Sequence, residues 1–342
     1  MAKLRVEFAP LTLPIRRRVQ TLTAAAWFVT MAYGGMISII LTLYLVFGTK
    51  YWWITISYMI WIFLDRYTSE TGGRRNNWVQ SMELWQYFKN YFPIRLHRLP
   101  WIQLSPKKNY LFCCFPHGML PTGTFSVFST KQGEFSDYFP GLKPYGCAMA
   151  QHFHIPFFRE IVLSLGGCSP SENSLNYLLS KEEGGNAVAL LVGGSTEAYY
   201  CKPRQYKLVL KNRKGFVRIA LTNGSPLVPV FSFGETDLFN QINKGDESFV
   251  RKCQEILKKL FGISPIIPLG RGLLQYSFGL VPHRRPVNVV VGQPIPVEKT
   301  ENPTQTQIDD LHKMFVDSLI NLFETQKHNY IKDADDIHIE LL

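Results

Sequence analysis

From Val19 to Thr49 no residue carries a charge, and after Lys50 the charge-free text resumes from Tyr51 to Leu64. A helix that crosses the ~30 Å hydrocarbon core of a bilayer needs ~20 apolar residues. The first run is long enough. The second, YWWITISYMIWIFL, reaches that length only with its aromatic and polar flanks. The break at Gly48, Thr49 and Lys50 reads as a turn, so the two runs predict a transmembrane helical hairpin. Arg16, Arg17 and Arg18 precede it, and Arg66, Arg74 and Arg75 follow it. Positive charge on both outer flanks places both ends in the cytosol. Tyr51, Trp52 and Trp53 fit an interfacial aromatic belt. A signal peptide fits less well, because the run is too long and no small-residue cleavage site ends it. The alternative is one spanning helix followed by a re-entrant segment, which would put the rest of the chain on the other side.

The chain has 342 residues, 46% of them hydrophobic, 14% aromatic and 18% charged. That length bounds it to one large or two ordinary domains. The composition excludes a disordered chain, which needs low hydrophobicity and high charge. Neither a glycine period nor heptads are present, which excludes collagen and coiled coil. The six cysteines, Cys113, Cys114, Cys147, Cys168, Cys201 and Cys253, form no CxxC, and most sit in apolar runs. They read as free thiols in a reducing compartment. The sequon Asn223, Gly224, Ser225 lies in a dense apolar and basic segment and is expected to be unused. The net charge of +11 suits nucleic acid, an anionic membrane surface or an anionic substrate. No nucleic-acid-binding signature accompanies it, so nucleic acid is set aside.

Residues 1–18 read as a cytosolic segment, 19–65 as the hairpin and 66–108 as interfacial or docking helices. Residues 109–342 read as a cytosolic α/β domain with a mixed or mostly parallel sheet covered by helices. Apolar runs at Tyr110–Phe115, Ala187–Val192, Leu227–Phe233 and Val287–Val291 look like buried strands. Ser169, Pro170, Ser171 and Glu172 look like a capping box that starts a helix toward Lys181. Further helices are predicted from Gly215 to Thr222, stopped near Gly224, and from Thr306 to Lys327.

Chemistry concentrates where strands end. The first strand runs into Phe115, Pro116, His117 and Gly118, and in open α/β sheets ligands bind beyond the carboxyl ends of strands. A neutral imidazole there can take a proton from an attacking alcohol. Acyltransferases often pair such a histidine with an aspartate five residues later, where this chain has Thr122. An orienting acid must then come from elsewhere. Glu197 is the first candidate, and Glu235 and Asp237 are the others; helix capping is the plainer role for each. Gly193 and Gly194 follow a strand and expose N–H groups for an oxyanion or phosphate, or simply make a tight turn. Lys211, Arg213, Lys214 and Arg218, with Arg271 and the pair Arg284 and Arg285, offer phosphate donors or a membrane-facing patch. His152 and His154 lack a second ligand pair at metal-site spacing, so no metal is expected.

These residues resemble the type 2 diacylglycerol acyltransferase family, whose members include monoacylglycerol and wax-alcohol acyltransferases. The resemblance runs through VEFAPL at 6–11, LDRYTSETGGRR at 64–75, PHG at 116–118, PFFRE at 156–160 and VGGSTEA at 192–198. Its longest stretches are LKNRKGFVRIALTNGSPLVPVFSFGETDLF at 210–239 and GRGLLQYSFGLVPHRRPVNVVVGQPIPV at 270–297. The family hallmark is HPHG, and here Phe115 stands in place of the first histidine. The resemblance implies an enzyme of the endoplasmic-reticulum membrane or lipid-droplet surface. It is expected to be multi-pass with cytosolic termini, and a homo-oligomer is left open. It implies acyl transfer from acyl-CoA, a co-substrate, to diacylglycerol, with no bound cofactor or metal. Monoacylglycerol or a long-chain alcohol is the alternative acceptor, and a catalytically inactive lipid-binding protein is the remaining one. His117 is then the general base and Glu197 its orienting acid, with Gly118, Gly193 and Gly194 at the oxyanion turn. Lys211, Arg213, Lys214, Arg218 and Arg271 would hold the coenzyme A phosphates.

Overall fold

The computed structural model describes residues 6–241 and 268–342; Cys253 lies outside them. Two helices open the chain, α1 (Ile15–Gly48) and α2 (Trp52–Leu64). The short helices α3 (Asn77–Ser81) and α4 (Leu84–Tyr91) follow. A seven-stranded sheet comes next: β1 (Ile94–Arg98), β2 (Tyr110–Phe115), β3 (Lys143–Cys147), β4 (Gly167–Cys168), β5 (Asn186–Leu191), β7 (Leu227–Phe233) and β10 (Val287–Val291). Its order is β1-β10-β7-β2-β5-β3-β4. From β7 to β4 every pairing is parallel, whereas β10 runs antiparallel to β7 and carries β1 parallel to itself. The short pairs β6 (Tyr206–Leu208) with β11 (Ile339–Leu341), and β8 (Asn240–Gln241) with β9 (Pro268–Leu269), lie outside it.

The central strands are mainly apolar on both faces because both faces are covered. On one face α1, α4, α5 (Thr122–Ser129) and α6 (Phe135–Tyr138) pack with Trp27, Phe28, Phe88, Val127 and Phe135. On the other lie α8 (Glu172–Leu179), α10 (Gly215–Asn223) and the C-terminal α11 (Gln305–Tyr330), through Leu175, Phe216 and Phe315. α10 ends as glycine chemistry predicts: Gly224 takes φ +65° and its N–H closes on the last turn. α11 begins with a capping box between Thr304 and Gln307.

Three expectations need correction. First, the predicted boundary at 108/109 does not divide the fold. β1 lies in the segment read as interfacial helices, yet it forms a sheet edge, and Trp85, Phe88 and Tyr91 of α4 are core residues. Second, the hairpin is not purely membrane. The N-terminal half of α1 packs into the core, with Trp27 4.8 Å from Phe88 and Phe28 4.9 Å from Phe239, ring centre to ring centre. Burying side chains of this size contributes ~1.5–3 kcal/mol each, so this half of α1 is held by protein. The other half exposes Met36, Ile37, Ile40, Leu43 and Phe47. Among the described residues only α1 is long and apolar enough to cross a membrane; the 13 residues of α2 reach only ~20 Å at 1.5 Å per residue. Third, the helix near residue 170 is capped by Ser171, which accepts from the Ser174 N–H at 3.3 Å, rather than by Ser169.

α2 is fastened to the domain by a buried guanidinium. Arg159 is wholly buried on α7 (Phe158–Ser164) and donates to the Asp65 carboxylate at 2.8 Å, to Glu160 at 2.7 Å and to the Phe153 carbonyl at 3.0 Å. A buried charge is tolerated only when paired and hydrogen-bonded in this way. The residue after α2 is thereby fixed against the α/β domain.

Candidate active site

β2 sits between β5 and β7, so the loops after these three parallel strands meet at one end of the sheet. β2 ends at Phe115, whose peptide bond to Pro116 is cis, and His117 follows. Its Nδ1 lies 3.1 Å from the Gly118 carbonyl oxygen. A carbonyl only accepts, so Nδ1 carries the hydrogen and Nε2 is left with the lone pair. Burial holds the imidazole below its ordinary pKa of 6.5, which keeps it neutral and basic at physiological pH.

Glu197 arrives from the β5 loop, in the short α9 (Gly194–Glu197), and is buried. The expected contact with the imidazole ring is corrected here. Its Oε2 accepts from the backbone N–H of His117 at 2.7 Å, and its Oε1 accepts from the Val209 N–H at 2.9 Å. Burial pushes its pKa up to about 7, against the pull of those two N–H donors. Gly193 makes room for it: a Cβ at that position would sit 2.2 Å from the Glu197 carboxylate. The missing side chain is explained by that approach rather than by an oxyanion.

Glu235 arrives from the third loop and is wholly buried, with its pKa also raised to about 7 by burial. Its two oxygens accept from the Thr122 and Gly123 N–H groups, each at 2.8 Å. Thr122 is the position where an aspartate was looked for, so the carboxylate reaches that place through space. Gly118 takes φ +64°, and a Cβ there would lie 2.8 Å from the Glu235 side chain. Asp237 has a different partner and accepts from the Arg204 N–H at 3.1 Å.

Two cavities meet here. An apolar chamber of about 240 Å³ is lined by His117, Phe125, His152, Leu190 and Gly194, and by Trp27 and Met31 of α1. A second groove of about 420 Å³ carries Arg213 and Arg218 and shares Pro170, Leu190, Leu191 and Gly194 with the first. Gly194, at φ +58°, has nothing within 4 Å of where a Cβ would stand, so its backbone borders open space in both. His152 is half-buried in the chamber wall, where the loss of water lowers its pKa to about 4.

The basic residues do not form one cluster. Arg213 and Arg218 line the groove, while Lys214 is engaged with Asp309 at 2.7 Å. Lys211 is exposed. Arg271 lies on the opposite face of the sheet, beside α1 with Arg17, Arg18 and Arg284. The role of α1 in walling the chamber, through Trp27 and Met31, was missed from sequence. Those aromatic and sulfur side chains inside an apolar run are the trace it left.

A family model described as diacylglycerol acyltransferase matches residues 44–341. The 2-acylglycerol O-acyltransferase 1 of Bos taurus is 42% identical over 327 residues, covering 96% of this chain and 97% of that protein. Diacylglycerol O-acyltransferase 2 of Homo sapiens is 38% identical over 317 residues, covering 92% of this chain and 81% of that protein. Among solved structures, the 1-acyl-sn-glycerophosphate acyltransferase PlsC from Thermotoga maritima aligns with TM-score 0.44 and 12% identity, over 93% of this chain and 99% of that one.

Proposed function

Because the chain belongs to the diacylglycerol acyltransferase family, and is therefore an acyltransferase, we propose that it esterifies diacylglycerol to triacylglycerol with His117 as general base. The observation that carries this reading is the chamber itself. One wall holds a neutral imidazole and the other is the core-packed half of α1, which continues into the exposed apolar half. An apolar acceptor can reach His117 beside α1 without entering water. Nε2 takes the hydroxyl proton as the acceptor oxygen bonds to the thioester carbonyl carbon. The tetrahedral oxyanion forms where the Gly194 N–H borders both cavities. Its collapse breaks the carbon–sulfur bond, and the imidazolium returns the proton to the coenzyme A sulfur. The chain's own groups suffice for this sequence, so neither metal nor bound cofactor is called on.

The acyl chain lies in the apolar chamber and the coenzyme A moiety in the adjoining groove, on Arg213 and Arg218. Charge-assisted hydrogen bonds are worth ~1.5–3 kcal/mol each. Arg213→Gln with Arg218→Gln therefore raises KM for acyl-CoA by roughly tenfold or more and leaves KM for the acceptor nearly unchanged. An unchanged acyl-CoA KM places coenzyme A elsewhere.

The exposed half of α1 and α2 form a hairpin embedded in the endoplasmic-reticulum membrane or at a lipid-droplet surface, with both ends cytosolic. Microsomes given labelled acyl-CoA with diacylglycerol, monoacylglycerol or fatty alcohol offered separately yield triacylglycerol as the main product. A second reading, a 2-monoacylglycerol acceptor, is favoured by the 42% identity to a 2-acylglycerol acyltransferase against 38% to a diacylglycerol one. In that case labelled diacylglycerol dominates. No product with any acceptor rejects both readings.

A further inference from the structure

Less than two turns along α1 from the chamber, four arginines from three segments of the chain surround one small cavity. Arg17 and Arg18 come from the first turns of α1, Arg271 from just after β9 and Arg284 from just before β10. The cavity has about 40 Å³, and Thr21 and Tyr276 also line it. The wall nearest the chamber, Thr21, lies six residues before Trp27, or ~9 Å along the helix at 1.5 Å per residue. The cluster is on the α1 face of the sheet, across from Arg213 and Arg218.

Three of the four guanidiniums are held in place. Arg284 lies over the Tyr91 ring at 4.4 Å and donates to Gln20 at 2.7 Å. Arg271 lies over the Tyr276 ring at 4.3 Å. Arg18 donates to the Pro10 and Leu11 carbonyls at 3.2 and 3.1 Å. The ion pairs among the described residues include none of the four. Burial, and the nearby charges of Arg17 and Arg271, pull the Arg284 pKa down. Like charges gathered in a partly buried space repel one another unless an anion joins them. Arginine forks fit the oxygens of a phosphate in particular.

The surroundings say which phosphate. Phe8, Leu11, Ile15, Leu274 and Phe278 beside the cavity are exposed, Leu11 at 92%. The segment carrying Phe8 is tied to the one carrying Leu274 by an N–H from Ala9 to the Leu274 carbonyl at 2.8 Å. The outward side of α1 continues this apolar surface through Leu22 and Val29. Basic groups ringed by exposed apolar side chains match a lipid surface, where the headgroup is anionic and the chains are not. We propose that Arg17, Arg18, Arg271 and Arg284 form a binding site for the phosphate of an anionic phospholipid, separate from the acyl-CoA groove.

The test reads binding, so it does not depend on the assignment of the reaction. The full chain in detergent micelles is titrated with dioctanoyl phosphatidic acid, dioctanoyl phosphatidylcholine, inorganic phosphate and coenzyme A. Phosphatidic acid binds saturably and roughly tenfold or more tightly than phosphatidylcholine or inorganic phosphate. Arg271→Gln with Arg284→Gln weakens it by a similar factor, and the corresponding lysine pair, which keeps the charge but loses the fork, retains only part of it. Arg213→Gln with Arg218→Gln leaves it unchanged. Where the double glutamine variant does not fold, the exposed Arg17→Gln gives the same reading with a smaller loss. Equal binding by the wild-type and glutamine variants overturns the proposal. So does equal affinity for phosphatidylcholine, which is apolar adsorption only. Inorganic phosphate or coenzyme A binding as tightly as phosphatidic acid, and weakened in the same Arg271→Gln with Arg284→Gln variant, would make this a site for a soluble phosphate instead.

Discussion

His117→Ala leaves a folded, membrane-inserted protein whose turnover falls by roughly 10²–10⁴-fold, the usual contribution of a positioned general base. The histidine contributes its ring to a cavity wall, and its backbone contact to Glu197 survives the substitution. Loss of activity can therefore be read apart from loss of structure. Acyl transfer in microsomes, beside the amount and protease resistance of the inserted protein, checks this. Near-normal turnover in the variant means that another group takes the proton.

Glu197→Gln is the second large effect, and it reports on position rather than on charge pairing. The carboxylate serves two backbone donors, the N–H groups of His117 and Val209. A glutamine amide has one accepting oxygen and turns its NH2 toward the other donor. One buried N–H is then left without an acceptor, which costs ~1–3 kcal/mol of stability. The backbone that aims His117 shifts with it. Misplacement by about 1 Å costs on the order of 10²-fold in rate. Thermal unfolding and kcat measured on the same preparation should both fall. Glu197→Ala strips both acceptors and should lower stability further.

Much of this site was legible before any coordinates. The limits of β2, β7 and β10 follow from short, mainly apolar runs, because strands covered on both faces need no alternation. The meeting of His117, Glu197 and Glu235 followed from their places just beyond such strands. The partners of the carboxylates did not. Whether Glu197 meets the ring or the backbone of His117 is set by a loop only a few residues long. The clue, a glycine at 193 whose Cβ would collide with that carboxylate, has meaning only once the turn is known. β1 was hidden because IRLHR carries three basic residues and reads as a wet helix face, although its alternate residues Ile94 and Leu96 are buried. The docking of Trp27 and Phe28 was hidden for a different reason. An apolar helical run looks the same against lipid and against protein.

Phe115 also finds a place. It is fully buried and packs 6.2 Å from Phe315 of α11, ring centre to ring centre. In this chain that position faces the core on the side away from α1, so a histidine there is not needed to build the chamber around His117.

The account rests on a single neutral histidine as the base, and the pH dependence of kcat/KM for the wild-type enzyme tests this most directly. Burial holds His117 below 6.5, whereas Glu197 and Glu235 stand near 7. A base works when unprotonated, so the rate is full above its pKa and falls as the pH drops through it. The account predicts one acidic limb with its midpoint below about 6.5, unmoved in Glu197→Gln. A limb centred near 7 that disappears in Glu197→Gln would contradict it and would make the glutamate, not the histidine, the group that takes the proton.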